Sequence, residues 1–264
     1  MSSISLSKIH QQVKKILPPV NKKLLDNFSK PQQIFYKPSR HASISVVTRL
    51  DSQIENYLKQ ELKKILPQAG FIGEETPIKV KEYNWIVDPI DGTFNYAQQL
   101  PDFAVSIALW HYNQPVYGLT SFPILHETIH AFNRPGIYLN QKRFQPKADL
   151  IKKPLGVYSI VSNQPSMNHI FSQFNSVIPS PRSYGCCVLH GAFTALSRIH
   201  VAVLINQAIW DIGAILLLVQ AAGLSCRWLS PEPDLSKPQV DAYKHSLIIG
   251  QSELVNRLSS KIKL

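Results

Sequence analysis

Two aspartates in one short segment give the strongest indication of chemistry in this chain. The segment WIVDPIDGTFNY, residues 85–96, places Asp88 and Asp91 on either side of a Pro-Ile pair, after a strand-like apolar run. The next residues, Gly92 and Thr93, can offer backbone N–H groups and a hydroxyl. Carboxylate oxygens suit a divalent cation such as Mg²⁺, and backbone N–H groups suit a phosphate. The segment therefore predicts a turn that holds a metal together with a phosphate.

A metal site of this kind needs carboxylates from other segments of the chain. Glu74 and Glu75 follow the short apolar run FIG, and Asp211 follows Trp210 at the start of a long apolar stretch. A carboxylate that leads an apolar helix is costly to bury unless it is paired, caps the helix or binds a cation. From this residue alone Asp211 is either an ordinary N-cap or a metal ligand.

Apolar spacing predicts the elements that must position these side chains. Helices are predicted over residues 4–30 with a break at Pro18-Pro19, and over 51–66, 166–176, 188–198, 211–223 and 251–263. Strands are predicted at 71–75, 103–110, 115–121, 127–132, 136–139, 156–162, 200–205 and 246–250, and residues 31–46 are predicted to be a loop. Mixed strands and helices without regular βα alternation predict a layered α/β architecture.

The stretch 141–154, rich in Lys, Gln and Pro, is the best candidate for a subdomain boundary. We therefore expect an N-terminal α+β subdomain, residues 1–145, that carries the metal-binding motifs. A C-terminal α/β subdomain, residues 146–264, would then carry Asp211 and the wall of the substrate pocket.

The composition predicts a folded protein of the cytoplasm. The chain has 264 residues, of which 44% are apolar and 17% charged. An odd set of three cysteines without zinc-type spacing indicates a reducing compartment. The N-terminus lacks the apolar core of a signal peptide, and the stretch 212–224 is too short to span a bilayer. We expect no membrane segment.

The net charge of +11 is concentrated in the first quarter of the chain, where residues 1–66 hold 12 Lys and Arg against 4 Asp and Glu. One interpretation is an anionic partner, such as a polyanionic substrate or RNA. The other is a solvated basic face on early helices. No aromatic residues interleave with the lysines as base stacking would require, so the pattern favours the solvated face over a nucleic-acid site.

Several motifs together resemble one known family. They are GEE at 73–75, DPIDGTFNY at 88–96, PDFAVSIAL at 101–109, WD at 210–211 and AAG at 221–223. A lone DGT would be weak evidence, but these motifs in this order and spacing are similar to the inositol monophosphatase family of Mg²⁺-dependent, lithium-sensitive phosphatases. The resemblance covers nearly the whole chain.

The resemblance implies a layered αβαβα sandwich of the inositol monophosphatase and fructose-1,6-bisphosphatase type, and a homodimer. It implies two or three Mg²⁺ ions that assist hydrolysis of a small phosphate ester by an activated water. The implied metal ligands are Glu74, Asp88, Ile90 through its carbonyl, Asp91 and Asp211. Asp51 matches an aspartate near the third metal.

The resemblance also implies which residues act in catalysis and which contact the substrate. Glu74, Thr93 and Asp91 would be catalytic, with Glu74 and Thr93 orienting the water. The implied substrate-binding residues are Asp91, Gly92, Thr93, Gly185, Cys186, Cys187 and Asp211.

Four positions depart from the family pattern, Ser45, Gln141, His200 and Leu204, and none of them is an implied metal ligand, so the departures point to an altered substrate-binding end. Leu204 stands where the family has a glutamate that contacts inositol, and His200 stands where it has an aspartate. Leucine cannot accept a hydrogen bond from a sugar hydroxyl, and a site that loses such a contact loses discrimination. We therefore expect a substrate other than inositol phosphate to be preferred.

Three functional hypotheses follow. The first is a Mg²⁺-dependent phosphomonoesterase that acts on an inositol-phosphate-like, polyol or sugar phosphate. The second is a nucleotidase that acts on a 3′(2′),5′-bisphosphate. The third is a family member with weak catalysis that binds RNA or a protein.

Overall fold

The computed structural model describes residues 5–37, 45–146, 153–161, 168–236 and 245–264. The helices of these ranges, in chain order, are α1 (Leu6–Phe28), α2 (Arg49–Ile65), α3 (Thr93–Ala97), α4 (Asn168–Asn175), α5 (Cys187–Ala195), α6 (Ile209–Ala221) and α7 (Ser252–Lys261). The strands are β1 (Ile34–Lys37), β2 (Ser45–Thr48), β3 (Gly70–Gly73), β4 (Tyr83–Asp91), β5 (Ala104–His111), β6 (Gln114–Phe122), β7 (Glu127–Phe132), β8 (Ile137–Leu139), β9 (Lys142–Arg143), β10 (Gly156–Ile160), β11 (Val201–Gln207), β12 (Ser225–Trp228) and β13 (His245–Gly250).

The strands form two large sheets and one small one. The first large sheet has seven strands in sequence order from β3 to β9, with β3 and β4 parallel and the remaining pairs antiparallel. The second has four strands in the order β10-β11-β13-β12, with only β10 and β11 parallel. β1 and β2 pair antiparallel by themselves.

Helices cover both faces of each large sheet, which confirms the predicted layered αβαβα architecture. Helices α1 and α2 pack on one face of the seven-stranded sheet. Helices α5 and α6 lie between the two sheets and share an apolar core with both. Helices α4 and α7 cover the outer face of the four-stranded sheet. Because α5 and α6 form the middle layer, residues at their first turns can meet residues at strand ends of the first sheet.

Helix α1 is continuous, so the predicted break at Pro18-Pro19 is wrong. Both prolines lie inside the helix, although an interior proline removes a backbone hydrogen bond. The helix buries an apolar stripe against the seven-stranded sheet, from Ile9 and Val13 through Leu17 to Leu24. Burial of this stripe on both sides of the prolines holds the helix together where local propensity would end it.

One further local prediction is wrong, and the helix predicted over 51–66 is confirmed with its start two residues earlier. Part of the predicted loop 31–46 forms β1 and the start of β2, because the aromatic and β-branched residues there favour an extended pair over a loop. Helix α2 begins earlier than predicted, with Thr48 as its N-cap. Asp51 is the third helical residue and closes a capping box, since its carboxylate accepts hydrogen bonds from the N–H and hydroxyl of Thr48.

The other predicted elements are confirmed within a few residues, including the β5–β6 hairpin and the buried helix α6. The two large sheets fall on either side of residues 144–155, near the predicted boundary between 145 and 146. Helix α6 packs on strands of both sheets, so the two-subdomain division stays a prediction. In the described part of the chain, none of the helices has the length and apolar character needed to cross a bilayer.

A stack of rings fixes the start of α1 on the first sheet. His130 of β7 is buried and stacks between His10 of α1, at 3.9 Å between ring centroids, and Tyr138 of β8, at 4.8 Å. His10 also contacts the Tyr117 hydroxyl at 3.0 Å. Burial, with the nearby charges of His10 and Lys14, lowers the pKa of His130 to about 3. His130 is therefore neutral in the folded protein at pH values where it is charged in the unfolded chain.

The variant His130→Phe should remove part of the acid sensitivity of this protein. A histidine whose pKa is lower in the folded state destabilises the fold progressively as the pH falls below its unfolded value of about 6.5. Urea unfolding at pH 7 and at pH 5 gives the decrease in the free energy of unfolding between these pH values. This decrease should be about 1–2 kcal/mol smaller in the variant than in the parent. The control variant His169→Gln, at an exposed histidine, should show the same decrease in unfolding free energy as the parent. An unchanged loss in His130→Phe would contradict this account.

Candidate metal and phosphate site

The end of β4 turns two carboxylates toward the same side of the first sheet. Asp88 and Asp91 are three residues apart, so a regular strand would point them to opposite faces. Between them, however, the strand register shifts, with Asp88 opposite Ser106 and Asp91 opposite Ala104. Three steps on β4 therefore match two on β5, which is a bulge at the Pro-Ile pair. The bulge directs both carboxylates toward the layer of α5 and α6.

Helix α6 supplies the third carboxylate of the site. Asp211 is its third residue, not the N-cap. Oxygen atoms of Asp88, Asp91 and Asp211 lie within 4.8 Å of one another. Asp88 is buried, whereas Asp91 and Asp211 are half-buried at the edge of the group. The fold thus brings these three carboxylates together from two segments that lie about 120 residues apart in the chain.

Burial and mutual repulsion make this carboxylate group hard to ionise. Burial, followed by the charges of Asp91, Glu74 and Asp211, holds the pKa of Asp88 well above its usual value. Burial raises the pKa of Asp91 to about 6, against hydrogen bonds that lower it, and burial with the charge of Asp91 raises that of Asp211 to about 7. Within the described ranges no lysine, arginine or histidine forms an ion pair with any of the three.

Backbone donors at the starts of helices offset part of this repulsion. The Asp91 carboxylate accepts from the N–H of Val188, the second residue of α5, at 2.5 Å. The Asp211 carboxylate accepts from the N–H of Ala208, the N-cap of α6, at 2.9 Å. Both helices therefore direct the positive ends of their dipoles at the group. These donors hold the carboxylates in place, but they supply only partial charges.

The donor set fits a divalent metal of the magnesium type. Three carboxylates that face one another without a basic partner need a cation to ionise together at neutral pH. All their donor atoms are hard oxygens, which Mg²⁺ prefers. Asp88, Asp91 and Asp211 are thus the residues that could hold such an ion.

Glu74 lies close to this group without belonging to its compact core. It follows β3 directly and is half-buried. Its charge raises the pKa of both Asp88 and Asp91, which places it near them. The three-carboxylate group within 4.8 Å does not include it. Its assignment as a metal ligand and water-orienting residue stays a prediction.

A buried glutamate that sequence reasoning missed holds the segment after Glu74. Glu55 of α2 accepts from the N–H of Glu75 at 2.9 Å and from the hydroxyl of Thr76 at 2.6 Å. Gly73 leaves room for this side chain, because a Cβ there would lie 2.6 Å from a Glu55 oxygen. Glu55 could have been noticed from its spacing, since it shares the buried face of α2 with Asp51 and Leu58.

The loop after β4 brings the Thr93 hydroxyl to the carboxylate of Asp51. Thr93 Oγ1 lies 2.9 Å from Asp51 Oδ1 and 2.8 Å from the Ile90 carbonyl oxygen. The hydroxyl has one proton, so it donates to one of these acceptors at a time. Burial raises the pKa of Asp51, against hydrogen bonds from Thr48 and Thr93 that lower it. The Ile90 carbonyl and Asp51 thus both contact Thr93, and their predicted contacts with metal remain predictions.

Gly92 is needed where the loop turns into α3. Its φ of +85° lies in the left-handed region, and a Cβ there would lie 2.8 Å from the Asp102 carbonyl oxygen. The Asn95 side chain ties this loop to the segment before α5 by donating to the carbonyls of Asp102, at 2.7 Å, and Tyr184, at 2.6 Å. Asn95 is a second positioning residue that motif reasoning did not single out.

Gly185 and Cys186 lie beside Gly92 in the turn after β4, and the substrate-binding role predicted for them and for Cys187 stays a prediction. A Cβ on Gly92 would be 3.4 Å from both the Gly185 carbonyl oxygen and the Cys186 Cβ. The Cys186 thiol donates to Asp91 at 2.9 Å and is buried. Burial, with the charge of Asp91, holds the pKa of Cys186 well above its usual value, and burial does the same for Cys187. Buried protonated thiols are poor nucleophiles, so these cysteines act here as small packed residues.

Two side chains that depart from the family pattern, Leu204 and His200, both make contacts within the fold. Leu204 is fully buried in the core that α5 and α6 share with the two sheets. His200 is buried too, and its Nδ1 accepts from the N–H of Leu155 at 2.9 Å. Leu204 therefore packs in the core, and His200 stabilises the backbone at Leu155.

Comparison with known proteins connects this geometry to relatives. The sequence profile described as "Inositol monophosphatase family" matches residues 7–261. The chain is 32% identical over 228 residues to "Inositol monophosphatase 2" of Solanum lycopersicum, which spans 79% of this chain and 85% of the relative. It is 27% identical over 178 residues to "Fructose-1,6-bisphosphatase/inositol-1-monophosphatase" of Thermotoga maritima, across 67% of this chain and 69% of the relative.

The fold is similar to that of solved structures. The crystal structure of the extragenic suppressor protein suhB from Bartonella henselae superposes with a TM-score of 0.79 at 24% identity, over 95% of this chain and 99% of that chain. This match confirms the predicted fold class.

The variant Asp88→Asn should lose the response to Mg²⁺ without losing stability in its absence. The amide keeps the shape of the side chain but removes one of three repelling carboxylates. Thermal unfolding in EDTA should show a melting temperature at or above that of the parent, and the Mg²⁺ concentration for half-maximal stabilisation should rise about 100-fold or more. Asp26→Asn, at an exposed ion pair, is the matched control. A Mg²⁺ response equal to that of the control would exclude Asp88 as a ligand.

The variant Glu55→Ala should weaken Mg²⁺ binding without touching a candidate ligand. It leaves the N–H of Glu75 without its acceptor, so the segment after Glu74 loses its anchor. We expect an increase of about tenfold in the half-saturating Mg²⁺ concentration. Glu55→Gln keeps one acceptor oxygen and should recover part of the loss, and Glu61→Gln on the same helix should have no effect. Equal Mg²⁺ titrations for all three variants would assign Glu55 to stability alone.

Proposed function

This chain belongs to the inositol monophosphatase family, and we propose that it is a Mg²⁺-dependent phosphomonoesterase that hydrolyses a small phosphorylated metabolite. Its curated relatives are phosphoric monoester hydrolases by name, and this chain is one as well. The observation that carries the Mg²⁺ requirement is the convergence of Asp88, Asp91 and Asp211 beside the loop that contains Thr93.

Side chains and backbone N–H groups of this site would have different roles in hydrolysis. Asp88, Asp91, Asp211 and Glu74 would hold Mg²⁺, which when bound polarises a phosphate oxygen and lowers the pKa of water. The backbone N–H groups of Gly92 and Thr93 would bind the phosphate and fix its orientation.

A proton acceptor for the attacking water is available beside Thr93. The Thr93 hydroxyl contacts Asp51, so it can take a proton from water while it donates its own to that carboxylate. Burial raises the pKa of Asp51, which favours proton acceptance. Glu74 would orient the same water. We propose this relay for the attacking water, with no covalent intermediate.

The substrate is proposed to differ from that of an enzyme specialised for inositol. The names of the relatives refer to inositol monophosphate and to fructose 1,6-bisphosphate. In this chain Leu204 and His200 are engaged in packing and in a backbone hydrogen bond, which leaves the substrate hydroxyls with fewer acceptors. A polyol or sugar phosphate bound chiefly through its phosphate group fits this arrangement. We also propose the family's homodimer and two or three Mg²⁺ ions for this chain.

One exposed aromatic residue favours a second candidate, a nucleotidase. Phe94 follows Thr93 directly and its side chain is 62% exposed. An exposed ring beside a phosphate-binding loop can stack on a nucleobase. In this alternative, Phe94→Ser would lower activity on an adenosine 3′,5′-bisphosphate about tenfold while leaving activity on glycerol phosphate unchanged.

A panel of phosphate esters, assayed with Mg²⁺ and with EDTA, tests the proposed reaction. We expect release of inorganic phosphate only with Mg²⁺, and a kcat/KM for inositol 1-phosphate no more than about tenfold above that for glycerol phosphate. A preference of several hundredfold for inositol 1-phosphate would contradict the substrate proposal. Inactivity on every ester, combined with salt-sensitive RNA binding, would contradict the phosphatase proposal and favour the binding protein.

A further inference from the structure

We propose that a pocket between the end of α2 and the strands β3 and β4 binds a small aromatic anion, at a site separate from the carboxylate group. This lysine pocket has a rim of four lysines, Lys59, Lys63, Lys79 and Lys81. Its floor is apolar and includes Phe71 and Trp85. The assignment does not depend on the proposed phosphatase reaction.

The lysine pocket and the carboxylate group lie toward opposite ends of the same two strands. Phe71 of β3 and Trp85 of β4 are paired neighbours near the starts of these parallel strands. Glu74, just after β3, and Asp88, on β4, each follow three residues later, which along an extended chain is about 10 Å. The indole also faces the layer of α1 and α2, whereas Asp88 faces the layer of α6. A ligand in this pocket would therefore leave the carboxylate group open.

The rim concentrates positive charge that is not neutralised by the protein. Lys59 and Lys63 lie one turn apart on α2, and Lys79 and Lys81 lie two residues apart before β4, so each pair shares a side. Among the residues that the structure describes, none of the four has a carboxylate within 4.0 Å. Two neighbouring acidic residues are engaged elsewhere, Glu61 with Lys64 and Glu82 with His111. The rim therefore suits an anionic group such as phosphonate or carboxylate.

The floor carries a buried donor that lacks an acceptor. Trp85 is 1% exposed, and its indole N–H has no hydrogen-bond partner in the described part of the protein. An unsatisfied buried donor destabilises a protein, and a ligand acceptor that reaches it would relieve that cost. Lys59 also lies over the Phe71 ring, 5.7 Å from its centroid, and so places its charge above an apolar surface. Charge above an aromatic floor suits an aromatic ring that bears an anion.

The volume of the pocket accommodates about one ring. Its volume is about 210 Å³, somewhat larger than the roughly 150 Å³ of an apolar cavity that holds benzene. Gly70, at its edge, leaves no room for a side chain, since a Cβ there would lie 2.6 Å from the Lys79 carbonyl oxygen. The chemical class is therefore a single-ring organic anion with a hydrogen-bond acceptor, such as an aryl phosphonate or an aryl carboxylate.

Calorimetric titration of the full chain with phenylphosphonate, which a phosphatase cannot hydrolyse, tests the proposal in EDTA. We expect binding that weakens about tenfold in Lys59→Gln/Lys79→Gln and is unchanged in Lys15→Gln on α1. Trp85→Phe keeps an aromatic ring but lacks the N–H and should also weaken binding. Asp88→Asn should bind like the parent, because the carboxylate group takes no part.

Three outcomes would overturn the proposal. The first is the absence of binding at about 10 mM phenylphosphonate. The second is equal weakening in the Lys15→Gln control, which would mean non-specific attraction to a basic surface. The third is inorganic phosphate binding as tightly as phenylphosphonate, which would show that the aromatic floor contributes nothing. The surface lysine variants distinguish these outcomes even if Trp85→Phe does not fold.

Discussion

Repulsion among three carboxylates held within 4.8 Å of one another is the constraint on which the rest of this structure depends. Such a group cannot ionise in a protein interior without compensation. The chain compensates in two ways, with backbone donors at the starts of α5 and α6 and with a site open to a cation. Helix ends alone supply only partial charge, and the divalent ion that we propose for this group would supply the rest.

The layered architecture brings groups that interact with the carboxylates to one place. The bulge at the end of β4 turns both of its aspartates toward the middle layer, and that layer presents two helix N-termini at the same point. From the other side of the first sheet, α2 contributes Asp51 beside Thr93 and Glu55 beside the segment after Glu74. Residues of helices on both faces of the first sheet therefore meet at the ends of β3 and β4. The opposite ends of these strands remain free for the lysine pocket.

Sequence reasoning predicted much of this arrangement because its signals are local. The strand before Asp88, the apolar helix behind Asp211 and the GEE segment are each visible in a short window, and the order of motifs identifies the family. The fold class followed from the same order. The relation of Asp91 to α5 was not predictable in this way, since its partner is a backbone N–H about 100 residues later.

What the local rules did not predict depends mainly on tertiary packing. Prolines should end α1, but the apolar stripe on both sides of them is buried on the sheet. Glu55 resembles an ordinary helix charge in the sequence, although its partners come from a loop 20 residues further on. Leu204 was recognisable as a departure from the family, but only the structure shows that it is fully buried in the core of the middle layer.

A crystal structure of the protein grown with Mn²⁺, with the metal located by its anomalous difference density, is the most direct test of this carboxylate site. We expect a peak within coordination distance of carboxylate oxygens from Asp88, Asp91 and Asp211, with α5 and α6 unmoved. A structure with no peak at this group, or with the metal bound only elsewhere, would contradict the claim that these carboxylates are gathered to hold a cation.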